Sequence, residues 1–340
     1  VRRAGFLFEQ VTDFGALRAA ARRAAMRGIW RSRGAATFLA ELEGNVLALR
    51  GRLVDGTWRP GPATRFAIRD PKPRLITAAP FADRVVHHAL CAALEPVLER
   101  YAVSDSFACR PGKGSVAALR RVQTLARRHD WFARLDVARF FPSIDHEVLL
   151  RALERRIKDR RALALVRAIL GTDGVGLPIG SLTSQHFANF YLGALDHHAL
   201  EVLRVGGWVR YMDDLALFGR SRAEVASQAA AVEAFLQDAL RLRPNPRARR
   251  LAPVSTGVPV LGFRVWRRQV RLDGARVRRW RARVRSLVRA LHGGRLGVAD
   301  AARRIRSVFA WAELADTGPL RRSFLARLAA DGLDPHDAAG

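Results

Sequence analysis

Lysine is almost absent from this chain. Lys72, Lys113 and Lys158 are the only three among 59 basic residues, and the rest are arginine. Arginine suits bidentate phosphate contacts, but the chain is also alanine-rich and GC-rich coding would favour both residues, so function is read from the total charge. Cysteine is scarce as well. Cys91 and Cys109 form neither a zinc pattern nor a disulfide framework, which fits a cytoplasmic location. No apolar run reaches 18 residues, and no signal-peptide pattern, amphipathic anchor or lipidation signal is visible, so a membrane partner is not expected. Acid is in short supply: 31 acidic residues face 59 basic ones, for a net charge of +28 and a pI near 11.7. That imbalance calls for a polyanionic partner, most simply nucleic acid. A hydrophobic fraction of 49% excludes disorder, and 340 residues suffice for two or three domains, or one large domain with an appendage.

Against this basic background, the adjacent carboxylates of Tyr211-Met212-Asp213-Asp214 stand out. Trp208-Val209-Arg210 precedes them and Leu215-Ala216-Leu217-Phe218 follows, a pattern of two short strands joined by a tight turn. Burying two neighbouring acids costs several kcal/mol unless cations compensate them. Paired Mg²⁺ ions would do so, and phosphoryl and nucleotidyl transfer need such pairs. A lone Asp-Asp pair is more often a solvated turn. A second acidic position changes the balance: Phe132-Ala133-Arg134-Leu135-Asp136-Val137 reads as a strand ending in acid. If the two strand systems share a sheet, Asp136, Asp213 and Asp214 meet at one edge and bridge two metals.

The remaining pattern is mostly helical. Residues 8–53 read as two helices, Arg65 to Ile76 as a strand pair around Asp70-Pro71-Lys72-Pro73, and Asp83 to Tyr101 as a helix with a stripe through Val86, Leu90, Leu94 and Leu98. Gly112-Lys113-Gly114-Ser115 leads into a helix over 116–128. Further helices are expected at 146–157, 160–170, 183–205 and 222–241, with short strands over 249–272. From Arg276 onward the chain reads as helical. Residues 264–306 carry fifteen arginines against Asp273 and Asp300, a net of +13. Arg278, Arg281, Arg285 and Arg289 form one basic stripe, while Val277, Trp280, Val284, Leu287 and Leu291 form the apolar one.

In this order the motifs resemble those of reverse transcriptases, specifically the group II intron, retron and diversity-generating retroelement enzymes. The resemblance spans roughly residues 5–325. Its most specific stretch is Gly176-Leu177-Pro178-Ile179-Gly180-Ser181-Leu182-Thr183-Ser184-Gln185. Group II intron enzymes carry Gln-Gly where this chain has Ile179-Gly180, and Ser-Pro where it has Ser184-Gln185. An apolar residue before Gly, with Ser-Gln at the end, is most similar to the diversity-generating class. So are the segments 79–90 and Ser106-Phe107-Ala108-Cys109-Arg110-Pro111-Gly112-Lys113-Gly114.

That resemblance implies an α+β right-hand polymerase with fingers, a ferredoxin-like palm sheet and a helical thumb. It divides the chain into N-terminal helices and fingers with part of the palm (1–130), a palm with the catalytic aspartates and primer-grip strands (131–272), a basic thumb (273–330) and a frayed tail (331–340). It also implies RNA-directed DNA polymerisation with dNTPs and two Mg²⁺ ions, a template RNA and primer–cDNA duplex, error-prone copying, and a small basic accessory protein. A retron-like enzyme and an RNA-binding maturase-like protein without polymerisation are the alternatives. No HNH-type cysteine or histidine set follows the thumb, so nicking and target selection are expected from elsewhere.

Carried onto this sequence, the resemblance makes Asp136, Asp213 and Asp214 the catalytic, metal-holding set, with Val137 beside them at the metals and the dNTP. Phe141 is the steric gate against a 2′-hydroxyl, or else a core aromatic beside Phe140. Lys72 and Arg74 clamp the triphosphate, or are solvated hairpin charges. Ile179 takes the place of a Gln near the nascent pair. Gln185 shares a helix face with Asn189 and reaches the template or packs. Tyr211, Arg110, Lys113, the primer-grip Gly262 and the four stripe arginines contact nucleic acid. His87-His88 and Asp145-His146-Glu147 are read as structural, the latter as a helix cap.

Overall fold

The computed structural model describes residues 3–26, 28–29, 32–69, 73–319 and 321–323, the side chains of 308–312 excepted. Lys72 and the tail 331–340 lie outside them. Two compact units emerge, each drawn from three stretches of chain.

The first unit comprises Val1–Pro111, Asp136–Arg204 and Ala230–Arg247. The expected pair of N-terminal helices is four: α1 (Leu7–Thr12), α2 (Phe14–Ala25), α3 (Arg33–Ala40) and α4 (Leu42–Val54). Side-chain caps explain two of the added boundaries. Asp13 accepts from Ala16 N and Ser32 from Ala35 N. A hairpin of β1 (Thr64–Arg69) and β2 (Pro73–Ala78) follows, exposed along β1 and the start of β2. α5 (Phe81–Tyr101) is the central helix of the unit, and its stripe of Val86, Leu90, Leu94 and Leu98 is buried. α7 (Phe140–Ser143), α8 (His146–Glu154) and α9 (Arg160–Leu170) come next. The long helix expected over 183–205 is broken into α10 (Leu182–Tyr191), α11 (Gly193–His197) and a π-helical turn, His198–Val202. A close tertiary contact lies beside the interruption. At Gly193 a Cβ would stand 2.6 Å from the Tyr101 ring, so the chain passes that ring only as glycine. Tyr191 then donates its hydroxyl to the Leu240 carbonyl at 2.7 Å.

The second unit comprises Gly112–Leu135, Val205–Ala229 and Ala248–Gly340. It contains α6 (Ser115–Arg128) and a four-stranded sheet, in the order β4 (Gly207–Tyr211), β5 (Asp214–Gly219), β3 (Trp131–Asp136), β6 (Arg250–Pro253). Asp136, the last residue of β3, is where the chain passes into the first unit. Trp208, Phe132 and Phe218 are almost fully buried in the sheet. α12 (Arg222–Asp238) begins in this unit. A second sheet joins β7 (Val258–Val260), β8 (Phe263–Val265) and β9 (Val270–Leu272). α13 (Gly274–His292) and α14 (Val298–Ala312) close the unit. Asp273 caps α13, and Trp280, Val284 and Leu287 pack with Ile305 of α14. The apolar stripe read from the sequence is the inward face of this helix. No helix among the described residues is long and apolar enough to cross a membrane.

α6 lies so close to β4 that Gly207 has no room for a side chain. A Cβ there would meet Leu125 at 2.7 Å and Phe218 at 3.2 Å. Overpacking of this kind costs about 1–3 kcal/mol. Gly207→Ala is therefore expected to lower the urea midpoint with an unchanged slope, as read by far-UV circular dichroism.

Candidate functional site

The Asp-Asp pair sits at the head of a tight hairpin. Tyr211 pairs with Asp214, leaving Met212 and Asp213 as the two central residues. Met212 takes a φ of 57°, a left-handed conformation that costs a non-glycine residue about 1–2 kcal/mol. Arg210, only 1% exposed, donates to the Met212 carbonyl at 3.3 Å from within β4. Asp214 begins β5, and its carboxylate is gripped by Arg134 of the neighbouring β3, through Nε at 2.8 Å and Nη2 at 3.3 Å. This fork-on-carboxylate contact is the strong form of an ion pair. Residues two apart on a strand share a face, so Arg134 and Asp136 point to the same side of β3.

In the first unit, Asn245 holds Asp136. Its amide donates to the Asp136 carboxylate at 2.8 Å, while its backbone N–H donates to the Asp136 carbonyl at 2.8 Å. Val137 follows, buried, and bridges to Pro244. Among the described residues, no group of three or more His, Cys, Asp or Glu side chains is arranged to hold a metal ion. The carboxylates have protein partners instead, Arg134 for Asp214 and Asn245 for Asp136. As a donor set they suit Mg²⁺, which takes hard oxygen ligands. Arg134 supplies Asp214 with a cation.

Phe140 and Phe141 divide their roles. Phe140 is buried, whereas Phe141 is half-buried and meets it edge-on at 5.5 Å, with its carbonyl taking the Leu177 N–H at 2.8 Å. The glycine-rich segment that follows is docked on β2. Thr77 N donates to the Ile179 carbonyl at 2.8 Å, and a Cβ on Gly180 (φ 109°) would stand 2.8 Å from Ile76. Ile179 is half-exposed on this segment. Arg74 is exposed on β2, and its side chain makes no hydrogen bond or ion pair with another described residue. Gln185 is exposed and accepts from the Cys109 thiol at 3.6 Å, while Asn189 anchors the Ala108 carbonyl at 2.9 Å.

Two expectations read differently in the structure, those for Arg110 and Gly262, while His87 and Asp145 have structural surroundings. Arg110 faces inward: its side chain is 7% exposed, and its donors are spent on Glu99, Val103 O and Ser106 O. It is a strut for the loop after α5, with almost no guanidinium surface left for phosphate. Gly262 and Leu261 both take positive φ at the β7–β8 turn, and the space beside Gly262 is filled by Arg276, whose guanidinium stands 2.6 Å from a Cβ built there. The close approach that this glycine permits is thus to Arg276. His87 is buried in α5. Burial above all, with His88 and Arg84 nearby, pushes the His87 imidazole down to about 4. Asp145 caps α8 at 3.0 Å from Val148 N and pairs with Arg241 at 2.8 Å. Lys113 and Tyr211 are half-buried, and Arg278, Arg281, Arg285 and Arg289 are all exposed on α13.

Arg134, Arg210 and Asn245 were not singled out by the motifs. Arg134 had a signal, since it stands two residues before Asp136 on a strand. Arg210 had one too, as a charge in an otherwise apolar strand. Asn245 had none. The Arg110 finding yields a direct test. Arg110→Ala strands two carbonyls and a half-buried Glu99, at a cost of about 2–3 kcal/mol. A fall in the thermal midpoint is expected, with the salt dependence of nucleic-acid binding unchanged.

The family described as "Reverse transcriptase (RNA-dependent DNA polymerase)" matches residues 68–265. Protein YkfC of Escherichia coli (strain K12) is 24% identical over 287 residues, covering 70% of this chain and 75% of that protein. The group II intron-encoded protein LtrA of Lactococcus lactis subsp. cremoris is 28% identical over 163 residues, covering 44% of this chain and 27% of LtrA. Nuclear intron maturase 1, mitochondrial, of Arabidopsis thaliana is 33% identical over 90 residues, covering 26% of this chain and 13% of that protein. The chain thus spans a minor part of these intron proteins. Among solved structures, telomerase from Candida albicans, in complex with a fragment of telomeric RNA, aligns with a TM-score of 0.51 at 10% identity. That alignment covers 80% of this chain and 55% of the telomerase chain, a likeness of fold. The fold is the α+β right-hand polymerase fold, and the chain belongs to the reverse transcriptase family.

Proposed function

We propose that this protein is an RNA-directed DNA polymerase of the diversity-generating type, extending a primer 3′-hydroxyl on an RNA template with dNTPs. The observation that carries the reading is the hairpin with Asp213 at its head and Asp214 opening β5, in the sheet whose β3 ends in Asp136. Asp136, Asp213 and Asp214, with Val137 beside them, would hold two Mg²⁺ ions. Bound there, the ions supply Lewis-acid chemistry, lowering the pKa of the 3′-hydroxyl and neutralising the triphosphate and its leaving pyrophosphate. The protein's own share is positioning. Arg74, free of other partners among the described residues, and Lys72 would clamp the triphosphate. Phe141, held half-buried by Phe140, would close the space under a 2′-hydroxyl. Ile179 and Gln185 would flank the nascent pair, and Lys113, Tyr211 and the exposed arginines of α13 would track the duplex backbone. Residues 1–130, 131–272 and 273–330 would serve as fingers, palm and thumb, and a small basic protein would assist.

A second reading, an RNA-binding maturase-like protein without polymerisation, draws on the relatives named as intron maturases and on the protein partners that already occupy Asp136 and Asp214. Primer extension separates the two. The wild-type protein with Mg²⁺, a primed RNA and dNTPs is expected to yield cDNA, and Asp213→Ala to reduce it at least a thousandfold, roughly 4 kcal/mol of transition-state stabilisation. Wild-type protein that binds the primed RNA without extending it would favour the maturase reading.

The subclass is testable at Ile179. Isoleucine offers no hydrogen bond to a base-pair edge, and polar discrimination of this kind is worth about 1–3 kcal/mol. Ile179→Gln is expected to lower the misincorporation frequency in sequenced cDNA by about tenfold. An unchanged error spectrum would remove Ile179 from fidelity control.

A further inference from the structure

A surface cavity of about 470 Å³ opens in the second unit, walled by Trp131, Trp266 and the turn between β8 and β9. Trp131 begins the strand that Asp136 ends, about 17 Å of extended chain away, so nothing in the polymerase reading uses it. Its walls are fixed in advance. Trp266 donates its indole N–H to the Ser255 carbonyl at 3.1 Å. Its ring lies where Gly257, at φ 79°, has no side chain: a Cβ there would be 2.6 Å from the indole. Arg271 stands 5.7 Å from the ring centre. Arg267 is pinned by Asp130 at 2.5 Å and by the Ala126 and His129 carbonyls. Arg268, its neighbour at the cavity wall, is exposed and makes no hydrogen bond or ion pair with a described residue.

Two half-buried indoles and a guanidinium without a hydrogen bond or ion pair to a described residue line one cavity. The volume falls in the range of small-ligand sites. Indoles offer stacking faces, which a base can meet only when it is unpaired, and a free guanidinium beside them suits a phosphate. In a chain of net charge +28, we propose that this cavity binds an unpaired nucleotide of a single-stranded nucleic acid, with the base against the tryptophans and its phosphate on Arg268. It is a second nucleic-acid site that anchors a single-stranded flank, and it goes beyond the polymerase reading.

The test uses the full chain without dNTPs or Mg²⁺, so its outcome is independent of catalysis. Short unstructured RNA and DNA oligonucleotides carrying 5-iodouracil are cross-linked to the protein by light, and the linked peptides are mapped. Binding is measured in parallel by fluorescence anisotropy. Cross-links to Trp131 or Trp266 are expected. Arg268→Ala, at an exposed position, should weaken single-strand binding about three- to tenfold, lower its salt slope by about 0.7, and leave affinity for a blunt duplex unchanged. Trp266→Phe should lose cross-linking at that residue while keeping the wild-type melting temperature within a few degrees. Loss on RNA and DNA alike supports the site as stated, and loss on RNA alone supports it with the sugar also read. Cross-links confined to other segments, or wild-type affinity in Arg268→Ala, would overturn it.

Discussion

The grip of Arg134 on Asp214 is the contact on which the rest of the candidate site depends. The two side chains are 31% and 17% exposed, so solvent screens the pair only in part, and the fork geometry adds direction to charge. Without it, two neighbouring carboxylates at a turn would repel each other in a partly dry setting. With it, Asp214 is fixed at the start of β5, and the hairpin has a defined electrostatic floor before any ligand arrives. Arg134 stands two residues before Asp136 on the same strand, so its positive charge lies on the face of β3 that carries Asp136.

The hairpin carries strain that this electrostatic frame sustains. A methionine at a φ of 57° is disfavoured. Arg210 offsets part of that cost by bonding the Met212 carbonyl from a position that is 1% exposed. A buried guanidinium is itself expensive to desolvate, and Arg210 has further partners within the protein. Asp213 thus sits at the head of a strained turn whose preceding carbonyl is bonded by Arg210.

Much of the fold was legible because its signals are local. The stripe of Val86, Leu90, Leu94 and Leu98, and that of Trp280, Val284 and Leu287, recur at helical spacing and are buried as expected. The Tyr211–Asp214 turn was legible from its flanking apolar strands. What sequence could not show were contacts made across long separations. The helix expected over 183–205 is broken where Gly193 passes Tyr101, a contact that no periodicity encodes. Asn245 reaches Asp136 across 109 positions. Arg110 was misread for the same reason: beside Gly112-Lys113-Gly114 it looks like one more phosphate contact, and only the return of the chain past Glu99 shows its charge to be spent. Of the side chains that hold the acids and their turn, Arg134 and Arg210 left a trace in the sequence and Asn245 left none.

The arginines show how one residue type is given opposite duties. Arg110, Arg134, Arg210 and Arg276 are tied to protein acceptors: a glutamate, an aspartate and two turn carbonyls. Each fixes a loop or hairpin, and burial even pushes the Arg276 guanidinium below its ordinary value, the neighbouring Arg279 adding to the effect. Arg278, Arg281, Arg285 and Arg289 stand exposed on the outer face of α13, over an apolar core of Trp280, Val284 and Leu287. They repel one another along a single helix face at i, i+3 and i+4 spacing. Exposure makes that repulsion bearable in salt, but nothing in the packing of the helix requires it. A polyanion laid along the stripe would turn the repulsion into counterion release. The basic residues behind the net charge of +28 thus include guanidinia tied to protein acceptors and guanidinia left exposed, and burial distinguishes the two.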